Sequence, residues 1–184
     1  MRNQISPACI VYLYGHILTP GSRFGHKHVV SQKRLDSVKF RKIIKLAMLV
    51  DFYNSGVIEF EIRRGKLGGK QLIVKRLRQI DPFDVTLEKQ FAAIINERGE
   101  IKLEFHITNV LPLGFEQRVY MDRFAEVMNR ELAAKGYLTE DNGRYLPVQQ
   151  TIKPLEAEVE SIKKQIDVFR IKKIELIEFI EKKL

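Results

Sequence analysis

Seven of the residues between positions 62 and 78 are basic and none is acidic. They are Arg63, Arg64, Lys66, Lys70, Lys75, Arg76 and Arg78, set around the glycine-rich "GKLGGK" of 65–70. Cationic side chains at this density engage phosphate oxygens, whether on a lipid headgroup or on a nucleic-acid backbone. A second basic stretch, 23–45, holds eight Lys/Arg against one acid, Asp36. Together the two stretches exceed the whole net charge of +9, so the rest of the chain is net acidic and an anionic partner is expected to meet the first half. A solvated face with no ligand is the competing reading of any such charge run.

Catalytic chemistry finds less support. Of the four histidines, His26 and His28 form an H-x-H without Cys or acid neighbours, a poor start for a metal site, and His106 reads as a structural residue of a strand. Cys9 lies among apolar residues, which makes a thiol inert, and as the sole cysteine it cannot form an internal disulfide, which fits a reducing compartment. "GKLGGK" lacks phosphate-loop spacing and suits a hairpin tip. Asp81 and Asp84 flank a turn and read as helix-capping residues rather than an acid–base pair. The expectation is a protein without catalytic residues, metal or cofactor.

These side chains need elements to carry them. "SPA" at 6–8 fits an N-cap with proline at the first helical position, so 5–18 reads as a short helix, with a buried strand as the alternative. "TPGSRFGHKH", 19–28, reads as a loop. Phe40, Ile43, Ile44, Ala47 and Met48 recur at helical spacing, predicting a helix from Ser37 to Asn54 capped at Gly56. "VIEFEI" and "QLIVKRL" then predict a hairpin. A further helix capped by Asp84 or Thr86 carries Leu87, Phe91, Ile94 and Ile95 to Gly99, and "EIKLEFHI" alternates like a strand. After a loop at "NVLPLGF", a helix over 116–135 and a hairpin turning at "DNG" close the unit.

"MLVDFYNSGVIEFE" and "VMNRELAAKGYLTE" share one grammar, an apolar-faced helix, a glycine and a strand. The fold class expected is therefore α+β, mostly helical: two winged-helix-like units with β-hairpins and a long C-terminal helix. The divisions are 1–80, a basic first unit; 81–150, a second unit; and 151–184, the C-terminal helix. In that last segment Leu155, Val159, Ile162, Ile166 and Phe169 alternate spacings of four and three, and the seam then shifts to Ile171, Ile174, Ile177 and Ile180. Such a seam either packs back on its own domain or pairs with a second chain as a coiled coil. A winged helix that grips a duplex needs a cationic third helix. Here Glu116, Asp122, Glu126 and Glu131 balance Arg118, Arg123, Arg130 and Lys135, so the first hairpin is the better anion-binding surface.

The stretches "KLAMLVDFYNSGVIEFE", "DPFDVTLEKQFAAII" and "ELAAKGYLTEDNGRYLPV" followed by "KPLEAEV" resemble, in their order, the Golgi phosphoprotein 3 family over roughly 37–160. The resemblance implies a non-catalytic, largely helical protein that binds phosphatidylinositol 4-phosphate in a basic pocket, with the hairpin matching 137–148 aiding self-association. It adds Lys45 and Arg123 to the anion-binding set, since the family's arginines fall near those positions. The family pocket also uses a tryptophan, and this chain has none. "ISPACIVYLYG", the helix before "SGVIEFE" and "ERGEIKLEF" are similar in order to the cytoplasmic region of YciQ-like bacterial membrane proteins, which implies the same wing-bearing architecture.

The expected partner is an anionic lipid headgroup or an acidic protein, with nucleic acid as the alternative, and the chain is expected to form a homo-oligomer through 137–148 or 155–184. The "ACIVYLYGHIL" stretch has one preceding basic residue, Arg2, and no A-x-A-like site after it, so it does not read as a signal peptide. No apolar run reaches the roughly 18–20 residues of a membrane span. The expected location is cytoplasmic, with peripheral association at a membrane surface.

Overall fold

The computed structural model describes residues 5–65, 68–81, 86–103 and 117–183. Helix α1 (Pro7–Leu18) starts as the sequence predicts: the Ser6 hydroxyl accepts from the Cys9 N–H at 3.3 Å, and Pro7 occupies the first turn. From Ala8 to Gly15 the helix is buried on every side, so it is the central rod of the core and not an amphipathic surface helix. Tyr12 and Tyr14 use their hydroxyls to tie this rod to later elements. Tyr12 donates to the Asn129 side chain at 2.8 Å, and Tyr14 donates to the Ile152 carbonyl at 2.7 Å.

Residues expected to form a loop instead make a bulged ribbon, β1 (Gly21–Lys27) against β2 (Arg34–Leu35). Gly21 and His26 both face Leu35, so 22–25 loop outward between them. The reason for the miss is that this strand lacks alternating apolar residues, the signal by which strands are read. His28 fastens the turn: its ring bonds the Tyr12 carbonyl at 2.8 Å and the Ser31 hydroxyl at 3.0 Å. Burial first, then the nearby histidines, push its pKa down to about 4, against the pull of the Tyr12 carbonyl. It is a neutral structural clip at physiological pH.

Helix α2 (Ser37–Asn54) is capped by the Asp36 carboxylate, which accepts from the Val38 and Lys39 N–H groups at 3.0 Å each. It ends at Gly56, where φ is +67°. The Val57 N–H returns to the Phe52 carbonyl at 3.1 Å, and the Gly56 N–H to that of Tyr53 at 2.9 Å. The same double closure recurs where α4 (Gln117–Ala134) ends, with Tyr137 N–H to Leu132 and Gly136 N–H to Ala133. Gly136 has φ of +78°. The internal echo in the sequence is thus a repeated Schellman stop that turns each helix into a hairpin. The first hairpin is β3 (Ile58–Arg64) and β4 (Lys70–Arg76); the second is β6 (Leu138–Asp141) and β7 (Arg144–Pro147). The second turns at Asn142 and Gly143, both with positive φ, as a tight hairpin requires.

Helix α3 (Thr86–Arg98) stops at Gly99 and feeds β5 (Glu100–Lys102). This strand pairs with β4 of the first hairpin, so the sheet order is β3-β4-β5 and the pairing crosses the 80/81 division. One core cluster runs from Ile5 to Ile180 through both units. The strand expected over 100–107 is seen for its first three residues; Leu103 is buried but no longer part of the strand, and the remainder from 104 with His106, the "NVLPLGF" loop and Asp84 lie outside the described residues.

Short helix α5 (Gln149–Ile152) and a 3-10 turn (Lys153–Leu155) lead into α6 (Glu156–Lys172). Leu155, Val159, Ile162, Ile166 and Phe169 are all buried within the chain, where α6 packs on α1 and α2. That seam is spent on the protein's own core. The helix breaks at Lys173 (φ −132°, ψ 47°) before α7 (Ile174–Lys183), which buries Ile177 and Ile180 but leaves Ile171 and Ile174 exposed at the break. The architecture is α+β, mostly helical, with small antiparallel sheets and a long C-terminal helix.

Candidate anion-binding surface

Strand alternation divides the expected basic site between two faces of the first sheet. In register, Glu59 faces Lys75, Arg63 faces Gln71, and Lys75 faces Glu100, so these side chains share the outer face. Phe60 opposite Val74, Ile62 opposite Leu72, and Val74 opposite Ile101 form the core face, and Arg64, Lys70 and Arg76 belong to that face at its ends.

On the outer face the cations are already paired. Arg63 donates from Nε to Glu61 at 2.8 Å and from Nη1 to Glu100 at 2.9 Å, and Nη2 bridges both carboxylates. Lys75 lies 2.5 Å from Glu61 and 3.8 Å from Glu59. Hydrogen bonds from Arg63 and then Lys75 hold the Glu61 carboxyl down at about 2, and the Arg63 bond lowers Glu100. The same bonds raise Arg63 and Lys75, so all four stay charged and mutually satisfied. Ile73 sits beneath them, buried by the stems of these long side chains.

The remaining expected residues scatter. Arg76 donates to the Asn96 carbonyl at 2.5 Å, stapling β4 to α3, and Arg78 donates to the Ser55 carbonyl at the end of α2. Lys45 is buried on α2, and desolvation, with Arg41 and Lys42 nearby, drags its pKa down to about 7. It is not presented to an external anion. Arg64, Lys70 and Arg123 are exposed, and Lys66 lies outside the described residues. Arg63 and Arg64 do come together with Arg98 and Lys102 around a cleft of about 400 Å³ beside Glu100.

The β1–β2 ribbon behaves differently. Its bulge presents Phe24, 84% exposed, with the Arg23 guanidinium 5.6 Å above its ring. Arg23, Lys27, Lys33 and Arg34 are exposed on the same ribbon and its turn, and among the described residues none of them forms an ion pair. Arg34 instead donates to the Gly25 carbonyl at 3.1 Å, bracing the bulge. A Cβ on Gly25 would lie 1.6 Å from the Leu35 carbonyl oxygen, so only glycine lets the two strands approach there. Helix α4, which carries Arg123, packs against β1. Sequence reasoning counted the cations of this ribbon but placed no site on it. The available signal was an aromatic between two glycines in a basic stretch, "GSRFG".

Cys9 is buried, and desolvation pushes its thiol up to about 12, which leaves it protonated and unreactive. Among the described residues no group of three or more His, Cys, Asp or Glu is placed to hold a metal ion, and no helix is long and apolar enough to cross a membrane. Comparison of the chain with protein-family models, with curated proteins and with solved structures finds no match.

Proposed function

We propose that this protein is a non-catalytic binding module that docks reversibly on an anionic phospholipid surface through the β1–β2 ribbon. The observation that carries this reading is an exposed Phe24 on the same ribbon and turn as four cations that no described carboxylate neutralises. Near an anionic bilayer each basic residue contributes about 1 kcal/mol. Burying the Phe24 ring at the headgroup–acyl boundary adds about 1.5–3 kcal/mol. Terms of this size support reversible docking and fall far short of permanent anchoring. A phosphoinositide is one headgroup such a ribbon would take. The sheet face of β3–β5 contributes less, because Arg63 and Lys75 are already compensated.

The chain has no tryptophan, so Phe24→Trp supplies a single reporter on the bulge. Its emission should shift to the blue with phosphatidylserine vesicles, stay unchanged with phosphatidylcholine alone, and revert on adding salt. Replacing Arg23, Lys27 and Lys33 by glutamate in that background should remove the shift. Absence of sedimentation with anionic vesicles at low salt rejects the reading. Quenching by single-stranded DNA without a vesicle response would transfer the ribbon to nucleic-acid binding, where one aromatic stacks on a base.

A further inference from the structure

Where α2 ends at Asn54, α6 runs on past it and the two helices leave a groove of about 390 Å³. Its floor is aromatic. Tyr53 and Phe169 meet edge to face at 5.3 Å, and Phe60 closes the triangle at 5.7 and 6.0 Å. Its rim is basic: Lys164, Lys172 and Lys173 line it together with the exposed Val168, and no lining residue is acidic. The Lys173 ammonium lies 5.9 Å from the Tyr53 ring centroid. On the same helix the neighbouring charges Asp167 and Arg170 pair with each other at 3.5 Å, whereas Lys164 and Lys172 form no ion pair among the described residues.

The apolar surface does not end at the groove. Val168, Ile171 and Ile174 are 39%, 74% and 62% exposed around the break at Lys173, while Val159, Ile162, Ile166 and Phe169 of α6 are buried. A patch of this kind with an aromatic floor and a single-sign rim fits a partner that is apolar at its centre and acidic at its edges.

We propose that this groove receives a short acidic peptide segment of a protein partner, with one apolar side chain seated against Tyr53 and Phe169 and flanking Asp or Glu residues on the three lysines. The volume suits an anchoring side chain and its neighbours. A second copy of the chain fits less well, because a two-fold interface would set the lysine rim against itself. A long polyanion fits less well too, since Glu160, Asp167, Glu175 and Glu178 stand exposed on the surrounding surface of α6 and α7. The inference is independent of the membrane reading, which concerns the ribbon.

The test is fluorescence anisotropy of a labelled peptide that alternates leucine and glutamate, against the same peptide with lysine for glutamate. The acidic peptide should bind the full chain and the basic one should not. Lys164→Glu with Lys172→Glu should weaken binding at least tenfold, and Val168→Asp should do so alone. All three positions are exposed, so an unchanged thermal midpoint confirms that folding is intact. The ribbon variant lacking Arg23, Lys27 and Lys33 should bind the peptide normally. Equal binding of both peptides, unchanged binding by the double variant, or loss of binding in the ribbon variant would each overturn the proposal. So would a concentration-dependent dimer that Val168→Asp dissolves and the acidic peptide does not compete with.

Discussion

On the outer face of β3–β5, Arg63 and Lys75 are enclosed by Glu59, Glu61 and Glu100; on the β1–β2 ribbon and its turn, Arg23, Lys27, Lys33 and Arg34 stand in water with an exposed Phe24. Both stretches read as uncompensated positive charge along the chain. Strand pairing separates them. The acids of the sheet precede the basic run by two and four positions on β3, or arrive from β5 beyond an intervening helix, and the register sets them opposite or beside the cations. The ribbon has Asp36 at its edge, and that carboxylate is committed to the cap of α2. Charge along a sequence therefore measures potential only after each strand face has been summed with its neighbours.

The sharpest way to break the comparison is at Gly25. A side chain there meets the Leu35 backbone carbonyl, which cannot move aside without opening the ribbon. Gly25→Val should cost about 1–3 kcal/mol or more, visible as a lower urea midpoint, and should abolish vesicle docking. Gly69→Ala in the β3–β4 hairpin is the control: a Cβ there meets nothing within 4 Å, and neither midpoint nor docking should change. Next in size is Phe24→Ala, which removes the apolar contribution while leaving the cations, and should weaken vesicle binding about tenfold or more without changing stability.

A smaller effect of opposite sign comes from the sheet. Arg63→Ala with Lys75→Ala removes cations that are already neutralised and leaves Glu59, Glu61 and Glu100 on a face away from the ribbon, so vesicle affinity should fall only about twofold, well short of the Phe24→Ala loss. Glu61→Gln with Glu100→Gln leaves those cations in place and frees them. Affinity measured by the same sedimentation assay should then rise, making the sheet face behave like the ribbon. If the first pair weakens docking as strongly as Phe24→Ala does, the contrast between the two regions is wrong.

Much of the fold was legible because it rests on local signals. Ser6, Gly56, Gly99, Gly136 and Asn142–Gly143 each mark a boundary through capping or left-handed backbone that few residue types supply. The pairing of β5 with β4 was not legible, because it joins residues twenty-five or more positions apart and no local pattern encodes it. Two features of the candidate site were hidden for related reasons. Lys45 is buried on a helix that three others pack against, and its place in the sequence of α2 gives no hint of that burial. The bulge of β1 depends on a backbone contact between Gly25 and Leu35 that leaves only the glycine as a trace. Leu155 to Phe169 showed the right periodicity for a buried stripe, but periodicity does not say whose core is filled.

A pH dependence separates a half-buried, ion-paired acid from a fully buried one. Glu61 is held at about 2 in the folded protein by Arg63 and Lys75, against 4.5 for the free group, so the sheet network adds stability that is complete above 4.5 and is lost as pH falls toward 2. Glu88 is buried, and desolvation raises it to about 8 despite the bond from Ser6. The folded state then holds a proton that the unfolded state releases, so stability from this group is complete below 4.5 and is lost as pH rises toward 8. Glu61→Gln should flatten the acid limb of a urea-midpoint profile between about 4.5 and 2 and leave the neutral range alone, whereas Glu88→Gln should flatten the decline between about 4.5 and 8 and leave the acid limb alone. An acid limb unchanged by Glu61→Gln would mean that Arg63 and Lys75 are freer than their geometry shows, and the sheet would then have to be counted with the ribbon as open positive surface.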